Sequence, residues 1–529
     1  MRPSFSWIVV ALAGIAACTN PDTDDPTASS GTDALPQTYR DARFDDVVAT
    51  VRSELASNIA QGVSLAVLHE GEFVWVQAFG TAEPGADVRM RPDHILQIGS
   101  TTKQMTAALA LQAADAGQFG LDDPVAEVLP EFSLDDDPGW SNVATLHDLM
   151  SHQGGLVDYI DPDNPADDEE LANWMYGFFA SNQWSMNPPG EFWNYSNPHF
   201  SLVGLAAEVH DPQGRTYADL IEEQLFAPLG LTDTYARKTH VRQTDRFALS
   251  TDGEGLIRMG GVPDPAPERP SGFVWSTPSD MCKWGDFLIH GDTSVLSDAS
   301  RDLIGTPHVL TGYDGDHEAY GYGQFVRDLY PLSDGYYPIE VWEHGGNTLS
   351  FTSVFVVVPE HDTVISILSA GAADSWDETV EDILRATIEL PEPAAWEGPP
   401  FEPERLAGHV GTYVDPYNVG TIEITEGGQF GLQIAMPDLD ALGYSVGPDL
   451  IPVSTDLWLV DLGGFRLDLS FVRDSSGGPD AESTYIRNRS FVGIREVATQ
   501  PARATPARRP SLDLAPAFWE REVRRRRTW

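Results

Sequence analysis

The sequence predicts an α/β protein in two folded parts, a large mixed domain over residues 38–392 and a smaller β-rich domain over 393–497. Three observations carry that expectation. Across residues 38–390 helical periodicity alternates with short β-type runs, and few stretches are long enough to be linkers. Pro391, Pro393, Pro399 and Pro400 then mark a rigid connection, beyond which residues 411–492 show short alternating strands, glycine-containing turns and almost no helical pattern. Finally, 529 residues, 41% of them hydrophobic and with 14 Trp, 16 Tyr and 23 Phe, supply enough apolar side chain to bury a sizeable core.

In chain order, Met1, Arg2 and Pro3 precede an apolar run at 7–17 that is too short to span a bilayer and is shaped like a secretory leader. The run ends Ile15-Ala16-Ala17-Cys18, which resembles the lipobox of bacterial lipoproteins. That resemblance implies cleavage before Cys18, lipidation of its thiol and a membrane anchor, so residues 1–18 are read as a lipoprotein-type signal peptide. Residues 19–37, rich in Thr, Asp, Ser, Pro and Gly, form a flexible tether. Thr19 stands where inner-membrane lipoproteins often carry aspartate, so the expected location is the cell envelope, at the periplasmic or outer-membrane face. The first strands fall at 64–68 and 73–77, joined by the hairpin signal His69-Glu70-Gly71-Glu72. A long helix starts at Ser100 and stops at Gly117. At the other end, residues 498–529 read as a disordered basic tail, the last 31 residues holding eight Arg against three acids; attachment to anionic lipid or to the acidic body of the protein is the functional alternative.

Charge excludes one class of partner. With 81 acidic against 32 basic residues the formal net charge is −49, which repels phosphate backbones, and no nucleic-acid partner is expected. The two cysteines, Cys18 and Cys282, give no disulfide framework, and Cys282 reads as an inert buried thiol. Nothing in the sequence specifies an oligomeric state.

The chemistry is concentrated at Ile98-Gly99-Ser100-Thr101-Thr102-Lys103, where Ser100 and Lys103 stand three apart at the predicted helix start and so share a face. That spacing sets an ammonium beside a hydroxyl, and a helix N-terminus with a nearby cation stabilises the charge a serine nucleophile develops. The same position frees the Ser100 amide for an oxyanion hole. Ser-x-x-Lys alone is weak evidence, although only three lysines occur in the chain, Lys103, Lys238 and Lys283. It is followed in order by Leu121-Asp122-Asp123-Pro124-Val125, Leu146-His147-Asp148-Leu149-Met150-Ser151-His152-Gln153-Gly154-Gly155, Pro189-Gly190-Glu191-Phe192-Trp193-Asn194-Tyr195-Ser196-Asn197, Pro228-Leu229-Gly230-Leu231, Ser276-Thr277-Pro278-Ser279-Asp280 and Glu343-His344-Gly345-Gly346-Asn347. In that order these segments resemble the serine β-lactamase and penicillin-binding-protein superfamily, in particular its class C-related branch of esterases, D-amino-acid peptidases and β-lactamase-like hydrolases.

The resemblance spans nearly the whole large domain and implies an antiparallel sheet flanked by helices, with a helical subdomain. It further implies that Tyr195 is the proton acceptor, and a phenol of pKa about 10 needs a cationic neighbour for that role, which Lys103 would supply. Asn197 would hold Lys103 or a substrate amide. His344-Gly345-Gly346 matches the element that reads Lys-Thr-Gly in β-lactamases, on an edge strand where small residues such as Gly346 let a substrate backbone approach. The Asn347 amide would join that of Ser100 in the oxyanion hole. His344 in place of the lysine removes a permanent cation, which disfavours efficient β-lactam hydrolysis and favours an ester or small amide as substrate.

The expectation is therefore a serine hydrolase working through an acyl-enzyme, with no metal and no cofactor. A β-lactamase or a D,D-carboxypeptidase acting on peptidoglycan is the alternative within the class, and a non-catalytic penicillin-recognising receptor the alternative outside it. The C-terminal part resembles, more loosely, the lipocalin-like β module often appended to this family, with no catalytic residue implied. Gly443-Tyr444-Ser445-Val446-Gly447 matches G-x-S-x-G without the strand-turn-helix context that motif requires. The acidic run at 161–170 lacks the spacing of a calcium loop and reads as a solvated loop.

Overall fold

A computed structural model of the chain describes residues 38–496 apart from 136, 252–254, 372–373, 463–464, 475–476 and 479. The predicted signal peptide, Cys18, the tether and the basic tail lie outside the described residues.

The large sheet contains β1 (Tyr39–Arg40), β2 (Gly62–His69), β3 (Glu72–Gly80), β4 (Val309–Leu310), β5 (Glu318–Tyr320), β6 (Phe325–Arg327), β7 (Val341–Asn347), β8 (Thr352–Val358) and β9 (Thr363–Ser369). They lie in the order β1-β3-β2-β9-β8-β7-β6-β5-β4, with every pairing antiparallel. β2 and β3 are the predicted hairpin. His69 faces Glu72, and the turn residues Glu70 (φ 53°) and Gly71 (φ 74°) both take the left-handed conformation that a type I′ turn requires.

Five helices place the site: α1 (Val47–Ser57), α2 (Thr102–Asp115), α3 (Asn197–Val209), α4 (Pro278–His290) and α5 (Asp377–Thr387). β2 is buried almost throughout because helices cover both faces of the sheet. With the two-residue period of a strand, Val63, Leu65 and Val67 join a core with Val51 of α1 and Ile383 of α5. Ala66 and Leu68, on the opposite face, join the larger core that holds Met105 of α2, Phe200 of α3 and Trp284 of α4. The helix expected from Ser100 begins as a 3-10 turn, Gly99–Thr101, that runs into α2, and Gly117 (φ 71°) follows its end.

The C-terminal sheet contains β10 (Gly411–Asp415), β11 (Gly420–Gly427), β12 (Gly431–Ala435), β13 (Ile451–Pro452), β14 (Leu457–Leu462), β15 (Phe465–Arg473), β16 (Ser483–Asn488) and β17 (Phe491–Arg495). Its order is β12-β11-β10-β17-β16-β15-β14-β13, around a core that includes Tyr413, Trp458 and Leu469. A short helix, Pro437–Ala441, also forms there, which the alternating pattern does not reveal. Ser445 of the G-x-S-x-G match lies after that helix rather than before one.

The two parts meet through a separate apolar cluster. Val157, Trp184, Met186 and Phe192 pack against Tyr417, Tyr485 and Val492, with the Trp184 and Tyr417 rings stacked at 5.1 Å. Trp184→Ala is expected to cost about 3–5 kcal/mol, as a buried Trp truncation does, and urea unfolding measures it. An unchanged midpoint would mean that this cluster contributes nothing to docking.

Candidate active site

The site is built where the Ser100 turn presses on β7. Gly99 takes φ 53°, and a Cβ there would lie 2.6 Å from the Asn347 amide nitrogen. A Cβ on Gly346 would run into the Ile98 carbonyl and the Ser353 hydroxyl. The backbone leading to Ser100 packs on Gly346 and leaves no room for a side chain there. Gly345 is the exposed glycine of the strand. The turn is fastened by the Ser353 hydroxyl, which donates to the Ile98 carbonyl at 2.7 Å, and by the Thr101 hydroxyl, which donates to the His344 carbonyl at 3.3 Å. β7 pairs with β8 along its length but with β6 only at residues 341–343, so positions 344–347 form an open edge beside the serine.

Ser100 is part-buried, and Lys103 is wholly buried. The Lys103 ammonium donates to Ser100 Oγ at 3.1 Å, to Asn197 Oδ1 at 2.8 Å and to the Ser271 carbonyl at 2.6 Å. The Tyr195 hydroxyl hydrogen-bonds Ser100 Oγ at 2.8 Å, and Lys103 Nζ lies 4.7 Å from the Tyr195 ring centre. Lys103 and Tyr195, from two segments almost a hundred positions apart, thus converge on the Ser100 hydroxyl, and Asn197 holds Lys103. Asn197 opens α3 and is fixed by Asp158, whose Oδ1 accepts from the Asn197 amide at 2.9 Å and from its Nδ2 at 2.8 Å.

Tyr195 lies in an aromatic wall. The His152 ring centre is 4.3 Å from it, and His152 holds φ 61°, a left-handed conformation in the turn after Met150. His199 Nε2 accepts from the Leu156 amide at 3.2 Å, so its Nδ1 carries the proton and donates to His152 Nδ1 at 3.1 Å. Burial drives both imidazoles down, His199 to about 3 and His152 well below its ordinary value. Both are neutral spacers.

His344 is built in the same way. Its Nδ1 donates to the Gly345 carbonyl at 2.6 Å, which leaves Nε2 to accept from the Tyr320 hydroxyl at 3.0 Å. Burial, then the Lys103 charge, push its pKa down to about 3. The position that carries a lysine in β-lactamases is therefore filled by an uncharged ring.

Asp158, His152, Ser271 and Tyr320 are site residues that sequence reasoning does not find. His152 sits inside a quoted motif, whereas Asp158, Ser271 and Tyr320 lie outside all of them and carry no signal of their own. Cys282 is buried and free, with its thiol pushed up by burial. The acidic run at 161–170 is not simply solvated. Asp168 accepts from Arg237 Nε at 2.9 Å and pairs with Arg269, while the buried Glu268 receives the Asp161 amide at 3.1 Å and Asn164 Nδ2 at 3.0 Å.

Burial pushes the Glu268 carboxyl from 4.5 to about 8. Because that value is raised above the unfolded one, its contribution to stability is complete below about pH 4.5 and is lost as pH rises through about 8. Glu268→Gln is expected to flatten the decline in Tm across that range, checked by thermal unfolding at several pH values; an unaltered pH dependence would refute it. Gly346→Ala is expected to lower stability by about 1–3 kcal/mol and to displace Ser100, measured by unfolding and by turnover together.

Comparisons with known proteins agree with this geometry. The Beta-lactamase family pattern matches residues 47–389. Penicillin-binding protein 4 of Amycolatopsis lactamdurans is 28% identical over 66% of this chain and 92% of its own length. Esterase EstB of Burkholderia gladioli is 28% identical over 50% of this chain and 67% of its own. In fold, the octameric penicillin-binding protein homologue from Pyrococcus abyssi superposes with a TM-score of 0.54 at 19% identity, covering 85% of this chain and 99% of that one, so the likeness extends into the C-terminal sheet. With an antiparallel sheet covered by helices on both faces, a separate β-rich sheet and a pattern match over well more than half its length, the chain belongs to the Beta-lactamase family of serine hydrolases.

Proposed function

We propose that the protein is a lipid-anchored serine hydrolase of the cell envelope that cleaves an ester or small amide through an acyl-enzyme on Ser100. The observation that carries this reading is the single hydroxyl of Ser100 held at once by Lys103 at 3.1 Å and Tyr195 at 2.8 Å. Tyr195 takes the Ser100 proton as Oγ bonds to the carbonyl carbon, with the Lys103 charge favouring the phenolate form that can accept it. The amides of Ser100 and Asn347 receive the oxyanion. Tyr195 returns the proton to the leaving group as the bond to it breaks. A water then gives its proton to Tyr195 and attacks the acyl carbon, and Ser100 Oγ departs with the proton back from Tyr195.

Two observations favour an ester or small amide. His344 is uncharged and tied to Tyr320 and Gly345, so the strand offers no lysine there to grip a carboxylate. A relative that covers half of this chain, the Burkholderia protein, is an esterase. The anchor rests on Ile15-Ala16-Ala17-Cys18 and places the enzyme at the envelope.

The test sets the purified protein and Ser100→Ala against a short-chain aryl ester, a chromogenic cephalosporin and a D-alanyl peptide, with intact mass recorded after each. The expected result is ester turnover that falls about 10³-fold or more in Ser100→Ala. Faster cephalosporin than ester turnover would replace the ester reading by a β-lactamase, and a lasting adduct without turnover would replace it by a receptor. Labelling with radioactive palmitate, absent in Cys18→Ala, tests the anchor.

A further inference from the structure

The turn between β16 and β17 reaches from the C-terminal sheet into the Ser100 site. Asn488 pairs with Phe491, which leaves Arg489 and Ser490 as a two-residue turn. That turn is fixed from within its own sheet. Asn418 Nδ2 donates to the Ser490 carbonyl at 2.6 Å, Asn488 Nδ2 to the Asp468 carbonyl at 2.8 Å, and the Ser490 amide to Asn488 Oδ1 at 3.0 Å. It is also fastened to the large domain: Asn194 Nδ2 donates to the Asn488 carbonyl at 3.3 Å, and Arg487 donates to the Thr311 carbonyl with its guanidinium 5.2 Å from the Trp193 ring centre.

Arg489 meets the site at two points. Its Nε donates to Asp158 Oδ2, and the side chain of Asp158 is 1% exposed. The other oxygen of that carboxylate holds Asn197, Asn197 holds Lys103, and Lys103 holds Ser100. Its guanidinium carbon also lies 4.4 Å from the Tyr195 ring centre, closer than the 4.7 Å of the Lys103 ammonium. Among the described residues, the titratable groups around Tyr195 are Lys103 on α2, His152 on the turn after Met150, His199 on α3, Tyr320 on β5, His344 on β7, Asp158 and Arg489, with Tyr313, its phenol also driven up by burial, against the same aromatic cluster. Burial keeps the three imidazoles uncharged and drives the Tyr320 phenol up, so Lys103, Arg489 and Asp158 carry the charge near the phenol at neutral pH.

We propose that Arg489 is a positioning residue of the Ser100 site: it anchors the Asp158–Asn197–Lys103 chain and sets a second cation against Tyr195, so that the reaction depends on the docked C-terminal sheet. The inference deepens the hydrolase reading and rests on it. Sequence reasoning assigns the C-terminal part no catalytic duty, and no motif marks Arg489. A cation at that distance favours the phenolate over the phenol, and a carboxylate as deeply buried as Asp158 needs a partner charge to hold its geometry.

The test compares the full chain with Arg489→Lys, Arg489→Gln and the double variant Arg489→Gln/Asp158→Asn, which removes both charges together and so avoids stranding a buried carboxylate. For the Ser100-dependent hydrolysis, kcat/KM should fall about 10- to 100-fold in Arg489→Gln, with its acid limb moved up by about one pH unit because the phenol gives up its proton later. Arg489→Lys should recover part of both. The double variant, if its Tm matches the parent, should show a smaller displacement in the same direction, because it also removes the Asp158 anion that opposes the phenolate. A displaced limb in neither Gln variant, at unchanged kcat, would overturn the proposal. Ultraviolet titration of tyrosinate, with Tyr195→Phe identifying the Tyr195 component, reads the same displacement without turnover. If the parent protein hydrolyses nothing through Ser100, the hydrolase reading fails, while that titration still decides whether Arg489 acts on Tyr195.

Discussion

A wholly buried ammonium governs this structure. Moving a lysine charge out of water costs several kcal/mol, so Lys103 can stay charged inside the protein only where acceptors replace its hydration. Three acceptors do so, and each belongs to a different part of the chain: Ser100 on the turn before α2, Asn197 at the start of α3, and the Ser271 carbonyl in the short segment Arg269–Gly272. The packing that gathers them needs small side chains. A Cβ on Gly204 of α3 would clash with Pro270, and a Cβ on Gly323 would lie 2.7 Å from the Lys103 carbonyl carbon and the Gln104 amide nitrogen. α2 itself is buried from Thr102 to Leu111, with alanines at 107, 108 and 110 that let its neighbours close in. The requirement to solvate one cation with protein atoms thus fixes how the helical part sits on the sheet.

That constraint explains which features the sequence discloses. The Ser100–Lys103 relation is local, a matter of helical spacing, and the β2–β3 hairpin is local too, set by Glu70 and Gly71. Both can be read along the chain. Tyr195 and Asn197 were legible only through the order of motifs, since nothing in their own segment shows what they face. Asp158, Ser271 and Arg489 were not legible, because their relevance is created when distant segments meet: Asp158 and Arg489 are separated by 331 positions. The acidic run misled for the same reason. Composition shows the charge of Asp168 but not the guanidinium groups of Arg237 and Arg269 that fold against it. At Gly346 the sequence shows that something approaches and not what; the structure adds the Ile98 carbonyl and the Ser353 hydroxyl.

The replacement at position 344 has a structural counterpart. A lysine in that place would set a second ammonium in the same buried space as Lys103, where like charges repel strongly. The imidazole instead completes an uncharged network: Nδ1 to Gly345, Nε2 to Tyr320, and Tyr320 in turn packed edge-on to Phe325 at 4.9 Å. Burial keeps the ring neutral, so it contributes shape and orientation to the open edge of β7 but no field. A neutral wall on this side leaves the electrostatics of the site to Lys103 and to whatever stands on the far side of Tyr195.

What stands there is a turn of the other sheet. Loops that carry function are usually mobile, whereas a two-residue turn between paired strands has almost no conformational freedom left to lose. With its own side-chain hydrogen bonds at Asn418, Asn488 and Ser490, such a turn can hold a guanidinium against a ring as firmly as a helix would. Its distance from Tyr195 is set in turn by how the two sheets dock, through the apolar cluster of Trp184, Phe192, Tyr417 and Tyr485. Because Trp184 and Phe192 of that cluster lie on the same segment as Trp193 and Tyr195, any shift in docking changes the distance between the base and its neighbouring cation. The second sheet then belongs to the chemistry of the first by geometry, through Arg489 at Asp158 and Tyr195.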